Sequence, residues 1–207
     1  MVVIGGGLIG CAAAYYLAKA GVRATLVEKG AINRQASGQN AGSLHFQMEH
    51  REVAYGDELS QRAGAQIPLK LAAIRLWSEL EDDLQADLEV VQHGGMMVAE
   101  TDEEVEALRR KQRLERQSGL VTELLTGPEA RRLCPALSDK VKAVAFCPDE
   151  GHANPRLVTP AYARRAAELG ARIITGASVV ALARRRDDWV VTLSSGERLR
   201  CRAGGKP

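Results

Sequence analysis

Gly5, Gly7 and Gly10, in the run Gly5-Gly6-Gly7-Leu8-Ile9-Gly10, and Glu28 at the end of a following apolar stretch are spaced to hold the diphosphate and ribose of a dinucleotide. Gly5 permits a tight turn out of a strand, Gly7 lets backbone approach a pyrophosphate, and Gly10 lets a helix pack closely on a sheet. The first amides of that helix then face the phosphates together with the positive end of its dipole. A carboxylate at position 28 accepts hydrogen bonds from both ribose hydroxyls and repels a 2′-phosphate, so the pattern favours FAD or NAD over NADP.

These residues need a strand, a turn, a helix and a second strand, and the sequence supplies all of them. Val2-Val3-Ile4 is a short apolar run suited to a buried parallel strand. A helix-compatible stretch then ends at Gly21, and Ala24 to Glu28 forms the second strand. Residues 31–47 are rich in Gly, Ser, Asn and Gln and read as a loop. Ile67, Leu71, Ile74, Trp77, Leu80 and Leu84 recur at helical spacing and predict an amphipathic helix over 66–84, with Pro68 in its first turn.

Further on, Gly94 to Ala99 reads as a strand, and Thr101-Asp102-Glu103-Glu104 has the capping-box pattern of a helix reaching about residue 117. A short helix is expected from Gly127-Pro128-Glu129 to before Cys134-Pro135. Val144 to Cys147 reads as a strand and Pro148 to Pro155 as a loop. A helix with Val158, Ala161, Tyr162, Ala166 and Leu169 on one face follows and stops at Gly170. Arg172 to Thr175 is a parallel-type strand, and Val179–Ala183, Trp189–Leu193 and Arg198–Cys201 form an antiparallel meander.

Composition removes several classes of function. A formal net charge of +2 gives no argument for nucleic acid or acidic membranes, and the arginine-rich stretches 109–116 and 184–186 read as solvated faces. Cys11, Cys134, Cys147 and Cys201 lack CxxC or metal-ligand spacing, and they suit a reducing compartment. Residues 1–18 carry no charge, yet the glycine turn and the lack of a basic n-region argue against a signal peptide or an integral membrane segment. A cytoplasmic protein without a metal site is expected. His50 and His93 have no constellation around them.

The order of the pieces separates the two dinucleotides. A plain NAD-binding domain would continue with its third strand soon after Glu28, whereas here an α+β segment intervenes and the α/β pattern resumes near residue 150. The expected fold class is α/β: an FAD-binding Rossmann-like parallel sheet with an antiparallel meander, interrupted by an incomplete α+β substrate domain. The expected division is 1–45 and 151–207 for the FAD-binding domain and 46–150 for the inserted segment.

The chain resembles the FAD-dependent oxidoreductases of the D-amino-acid oxidase type, which include glycine and sarcosine oxidases, D-amino-acid dehydrogenases and hydroxyproline or opine dehydrogenase subunits. The resemblance covers essentially residues 1–200. It rests on the fingerprint Gly5 to Glu28 with Ala14, Leu17 and Gly21, on Ala36-Ser37-Gly38-Gln39-Asn40-Ala41-Gly42, and on Asp149-Glu150-Gly151-His152-Ala153-Asn154-Pro155.

It implies FAD as cofactor, with Leu8, Ile9 and Lys29 beside the turn and the ribose carboxylate. The Ser37 to Gly42 loop, including Gln39, would run under the flavin with the backbone of Asn40, Ala41 and Gly42 close to it. Val179 would offer backbone groups to the adenine edge. The implied reaction is oxidation of the C–N bond of an amino acid or secondary amine by hydride transfer to flavin, giving an imine that hydrolyses. No catalytic residue is named by it; His152 marks the return from the inserted segment, and His45 has the context of the branch with non-covalent flavin. Oxygen, a quinone or another chain as electron acceptor are not distinguished.

Family members continue well past Cys201-Arg202-Ala203-Gly204-Gly205-Lys206-Pro207, through a further parallel strand and the rest of the substrate sheet. The resemblance therefore predicts a C-terminally truncated member whose turnover alone is in doubt. In a strand order of about 3-2-1-4, the first strand would lose a neighbour and become an apolar edge. The alternatives are a non-catalytic fragment, either inert or acting through a partner chain that supplies the missing half, and an NAD-dependent dehydrogenase.

Overall fold

The computed structural model describes residues 1–54, 57–186 and 188–202. In chain order the elements are β1 (Val2–Ile4), α1 (Leu8–Lys19), β2 (Thr25–Val27), β3 (Ser43–Leu44), α2 (His50–Ala54), α3 (Asp57–Leu84), β4 (Gly95–Ala99), α4 (Asp102–Gln117) and β5 (Glu123–Thr126). Then come α5 (Gly127–Leu133), β6 (Ala143–Cys147), β7 (Gly151–His152), α6 (Pro155–Glu168), β8 (Arg172–Ile174), β9 (Val179–Arg185), β10 (Asp188–Leu193) and β11 (Arg198–Arg202). They form two compact units, one of residues 1–42, 84–89 and 154 onward, the other of residues 43–83 and 90–153.

The first unit holds a parallel sheet in the order β1-β2-β8, paired Val3 to Leu26 and Leu26 to Ile173. Both crossovers bring a helix onto it. α1 buries Cys11, Ala14, Tyr15 and Ala18, and its small residues let α6 approach until Tyr15 and Tyr162 lie 5.5 Å apart, centroid to centroid. Asn154 opens α6 by accepting the Arg156 amide at 2.9 Å, with Pro155 at the first helical position. Among the described residues β1 pairs only with β2, so it is the edge that the expected strand order demands, and Ile4 stands 53% exposed there. The meander has the order β11-β10-β9, and its central strand packs Val191 and Leu193 on Val27 and Ala177.

In the second unit β6 is the buried middle of an antiparallel sheet ordered β4-β6-β5. Phe46, Met48, Val53, Ile67, Leu120 and Cys147 are buried together, with Ile74 and Trp77 of α3 against them. The long helix begins at Asp57 rather than at residue 66, so Pro68 lies inside it, without the N–H that would bond the preceding turn. Residues 57–65 are too polar to announce themselves by periodicity; of residues 58–65, Ser60 and Ala63 are buried. β5 and the two-residue ribbon β3–β7 also went unforeseen, since four residues or fewer carry no readable alternation.

The capping box at α4 forms as its sequence requires: Thr101 Oγ1 accepts the Glu104 amide at 3.2 Å and Glu104 Oε2 accepts the Thr101 amide at 3.0 Å. Replacing Thr101 by Ala removes one of these bonds and is expected to cost about 1 kcal/mol, read as a lower midpoint in urea with an unchanged slope. A second box, Thr126 with Glu129, opens α5.

Candidate functional site

β1 ends at Ile4, and Gly5 turns the chain out of the sheet at φ +108°, a conformation open to glycine and strained for any other residue. The Gly5 amide still donates to Val27 O at 2.8 Å, so the turn stays registered on β2. Gly7 is the N-cap of α1 and offers no side chain to it. A Cβ on Gly10 would be driven into the carbonyl oxygen of Gly5, which shows how closely the helix sits on the turn. Gly6, a free position in the fingerprint, is also held by space: its Cβ would lie 2.6 Å from Ile32 Cδ1 and 2.9 Å from Glu28 Cβ.

Glu28 folds back toward this turn. Its Oε1 accepts the Gly30 amide at 2.8 Å and its Oε2 the Gly6 amide at 2.6 Å. These two bonds, Gly30 first, hold its carboxyl below the usual glutamate range. An ionised carboxylate offers about four acceptor sites, so capacity remains for two hydroxyls. Lys29 beside it is exposed.

The second motif reaches the first directly. Ser37, in a 3-10 turn over Ala36–Gly38, accepts the Leu8 amide on its Oγ at 3.0 Å and so caps α1 in place of Gly7. Asn40 spends its side chain within the loop: Nδ2 donates to Ser37 O at 2.9 Å and Oδ1 accepts the Gly42 amide at 2.8 Å. Gln39 Nε2 donates to Arg34 O at 2.9 Å. What Ala41 and Gly42 present is therefore backbone, with Gly42 at φ +73°.

Asn33, which the sequence reading passed over, underlies the loop. At φ +65° it donates its amide to Gly6 O at 3.0 Å and its Nδ2 to Pro155 O at 2.8 Å, and its buried Oδ1 has no protein partner. Gly38 has no room for a Cβ against the Asn33 carbonyl. The available signal was chemical: Asn is the residue most at ease in the left-handed region after glycine.

Val179 stands apart from this cluster. Its side chain packs in the apolar group of Val27, Ala177, Val191 and Leu193, and its backbone pairs with Leu193 of β10. The structure thus brings Gly5 to Gly10, Glu28 and Ser37 into direct contact, while Val179 meets them only through β2. His152 is engaged through its backbone, which exchanges hydrogen bonds with Val91 at 2.8 and 2.9 Å.

A dinucleotide fits these residues. Among the described residues the amides of Gly7, Ile9 and Gly10 meet no protein acceptor, as the first turn of a helix requires when nothing caps it fully. Ile9, in the same turn, carries an apolar side chain that is 86% exposed. No group of three or more His, Cys, Asp or Glu side chains that could hold a metal ion occurs among the described residues, and no described helix is long and apolar enough to cross a membrane.

Comparison with known proteins agrees with that fit. A family model described as FAD dependent oxidoreductase (DAO) matches residues 1–203. Glycine oxidase of Bacillus subtilis (strain 168) is 30% identical over 202 residues, an alignment spanning 95% of this chain and 50% of that protein. The mitochondrial sarcosine dehydrogenase of Homo sapiens is 27% identical over 199 residues, covering 95% of this chain and 20% of that one. Among solved structures, glycine oxidase from Geobacillus kaustophilus superposes with a TM-score of 0.81 at 26% identity, covering 98% of this chain and 52% of the other. L-proline dehydrogenase from P. horikoshii gives a TM-score of 0.80 at 26% identity, over 94% and 49%. The chain spans about half the length of the glycine oxidases it matches.

Proposed function

The chain belongs to the DAO family of FAD-dependent oxidoreductases, and from that premise we propose that its first unit cradles FAD and its second unit forms part of the substrate side of an amine-oxidising protein. The contact of Ser37 Oγ with the Leu8 amide carries this reading, because it locks the loop proposed to face the flavin onto the turn proposed to face the pyrophosphate. Gly5, Gly7 and Gly10, with Leu8 and Ile9, hold the diphosphate; Glu28, beside Lys29, takes the ribose hydroxyls. Ser37, Gln39, Asn40, Ala41 and Gly42 support the flavin side, and Val179 meets the adenine edge with its backbone.

The chemistry that FAD supplies when bound is acceptance of a hydride from the carbon that bears the nitrogen. The chain's part is to bind and align, which such a transfer needs more than a strong base. Relatives named for glycine, sarcosine and 4-methylaminobutanoate share an amine nitrogen on the carbon to be oxidised. The proposed substrate is accordingly an amino acid or secondary amine, oxidised at its C–N bond to an imine that hydrolyses. Four free cysteines suit a reducing, cytoplasmic setting.

The test is the visible spectrum of the purified chain before and after FAD is added and excess removed by desalting. Bands near ~370 and ~450 nm that survive desalting are expected, and a colourless chain overturns the reading. Glu28→Gln removes one acceptor oxygen and the charge, and is expected to weaken FAD by about tenfold in a fluorescence titration. Unchanged affinity in that variant would displace Glu28 from the ribose.

A further inference from the structure

Phe46, Gln47 and Met48 follow β3 at the exit of the Ser37–Gly42 loop, and side chains of the second unit hold their amides and the Gln47 side chain. Glu150, 3% exposed, accepts the amides of Phe46 and Gln47 on Oε1 at 2.6 and 2.8 Å. Its Oε2 accepts Gln47 Nε2 at 2.7 Å. Gln47 Oε1 in turn accepts Lys111 Nζ at 2.7 Å, and Gln47 O accepts Lys70 Nζ at 2.9 Å. Lys111 also pairs with Glu115 Oε1 at 2.8 Å, the oxygen that accepts the Met48 amide at 2.7 Å. Beside this segment is a cavity of about 210 Å³ whose lining includes His45, Gln47, Met48, Glu49, Gly95 and Met96.

The sense of the bonds is fully determined. Glu150 can only accept, so Gln47 must turn its NH₂ toward Glu150 and its oxygen toward Lys111, which can only donate. Gly95 closes the pair from the other side, since a Cβ there would run into Glu150 Oε2. A pair that merely filled space would need none of this directionality, and an apolar pair of similar volume would be cheaper to bury.

We propose that Glu150 and Gln47 are positioning residues, a polarity-matched clamp that fixes the backbone of residues 46–48 and with it the wall of the adjoining cavity. The functional side of this inference rests on the reading of residues 37–42 as the flavin loop. It adds that the segment leaving that loop is placed by the protein's own buried carboxylates before any cofactor arrives.

Reciprocal exchange in the full chain tests it. Glu150→Gln sets NH₂ against NH₂, and rotating Gln47 to relieve this turns its NH₂ on the Lys111 ammonium. Gln47→Glu sets carboxylate against carboxylate. The double variant Q47E/E150Q reverses the sense and restores the bonds among the three side chains: the new glutamate accepts from the new glutamine and from Lys111, the new glutamine keeps an oxygen for both amides, and only the 3.3 Å bond from Gln47 Nε2 to Gly95 O is lost. Two readouts are local, amide hydrogen exchange of a peptide over 44–49 against one over 24–28, and ¹³C-methyl shifts of Met48, Met96 and Met97, which line the cavity.

Each single variant is expected to speed exchange at 46–48 by about tenfold or more and to move these methyl resonances, and the double to return both toward wild type. An E150Q chain with wild-type exchange, a double no better than the singles, or singles that leave the methyls unmoved overturns the clamp. So does failure of all three variants to fold, whereas a double that folds where a single does not supports it. Retention of FAD by the wild-type chain is scored separately; its absence sinks the proposed function, while exchange and methyl shifts still decide the clamp.

Discussion

A Gly10→Ala chain loses FAD affinity by on the order of 100-fold and melts at a lower temperature than wild type, the first of the two largest effects expected here. The added methyl meets the carbonyl oxygen of Gly5, backbone against backbone, and no rotamer change can relieve it. α1 must lift from the turn, and the Leu8 amide leaves Ser37 as it does so. Overpacking of this kind costs about 3 kcal/mol at the upper end of its usual range, which is the stated loss in binding if it falls on the cofactor site. Gly5→Ala is the informative control. It meets no atom within 4 Å but must adopt φ +108°, so its cost is conformational, about 1–3 kcal/mol, and is felt with or without FAD. A flavin fluorescence titration paired with thermal melts of apo and loaded chain separates the two: both variants lower the apo melt, but Gly10→Ala also loses about 3 kcal/mol of the stabilisation by FAD, whereas Gly5→Ala lowers both melts together. If Gly10→Ala binds FAD normally, the close approach of α1 to the turn is not what shapes the site.

The fingerprint was legible because it is local. Strand, turn, helix and terminal acid all lie within residues 2–28, and each glycine has a reason that needs no knowledge of the rest of the chain. The same holds for the meander, whose three strands alternate with polar turns, and for the Thr101 box, which is complete within four residues. What escaped the sequence depends on distant partners. Asn33 matters because Pro155 and Gly6 come to it, and Glu150 because Phe46 and Gln47 do, at sequence separations of 122 for Pro155 and 104 for Phe46. Lys111 and Glu115 sit in a helix so charged that it reads as solvated on every face, yet both are buried. A Lys four residues before a Glu is the ordinary surface pair of an exposed helix; only the fold shows that this one is sealed beneath the segment that leaves the loop at Gly42.

That burial sets the second large effect. Lys111 is 1% exposed and Glu115 0%, with Nζ and Oε1 2.8 Å apart. Removal from water pushes the Lys111 ammonium below the usual lysine range, and Glu115 opposes that push. Lys111→Met takes away the cation and leaves two consequences together: a buried carboxylate at Glu115 with no counter-charge, on which the Met48 amide depends, and an unpaired Gln47 Oε1. Breaking one side of a buried pair costs about 3–5 kcal/mol, and at about 2–4 °C per kcal/mol for a chain of this size the melting temperature falls by roughly 6–20 °C. Adding Glu115→Gln to the same chain removes the stranded charge. It keeps an oxygen for the Met48 amide, and Thr122 Oγ1, which donates to Glu115 Oε2 at 2.8 Å, can turn to accept from the new NH₂. The double variant should therefore regain more than half of the loss, as replacement of a whole buried pair commonly does. A Lys111→Met chain that melts within a degree or two of wild type would mean that the pair is solvated in solution and that α4 is held by its apolar contacts alone, Leu108 with Ala99 and Ala145.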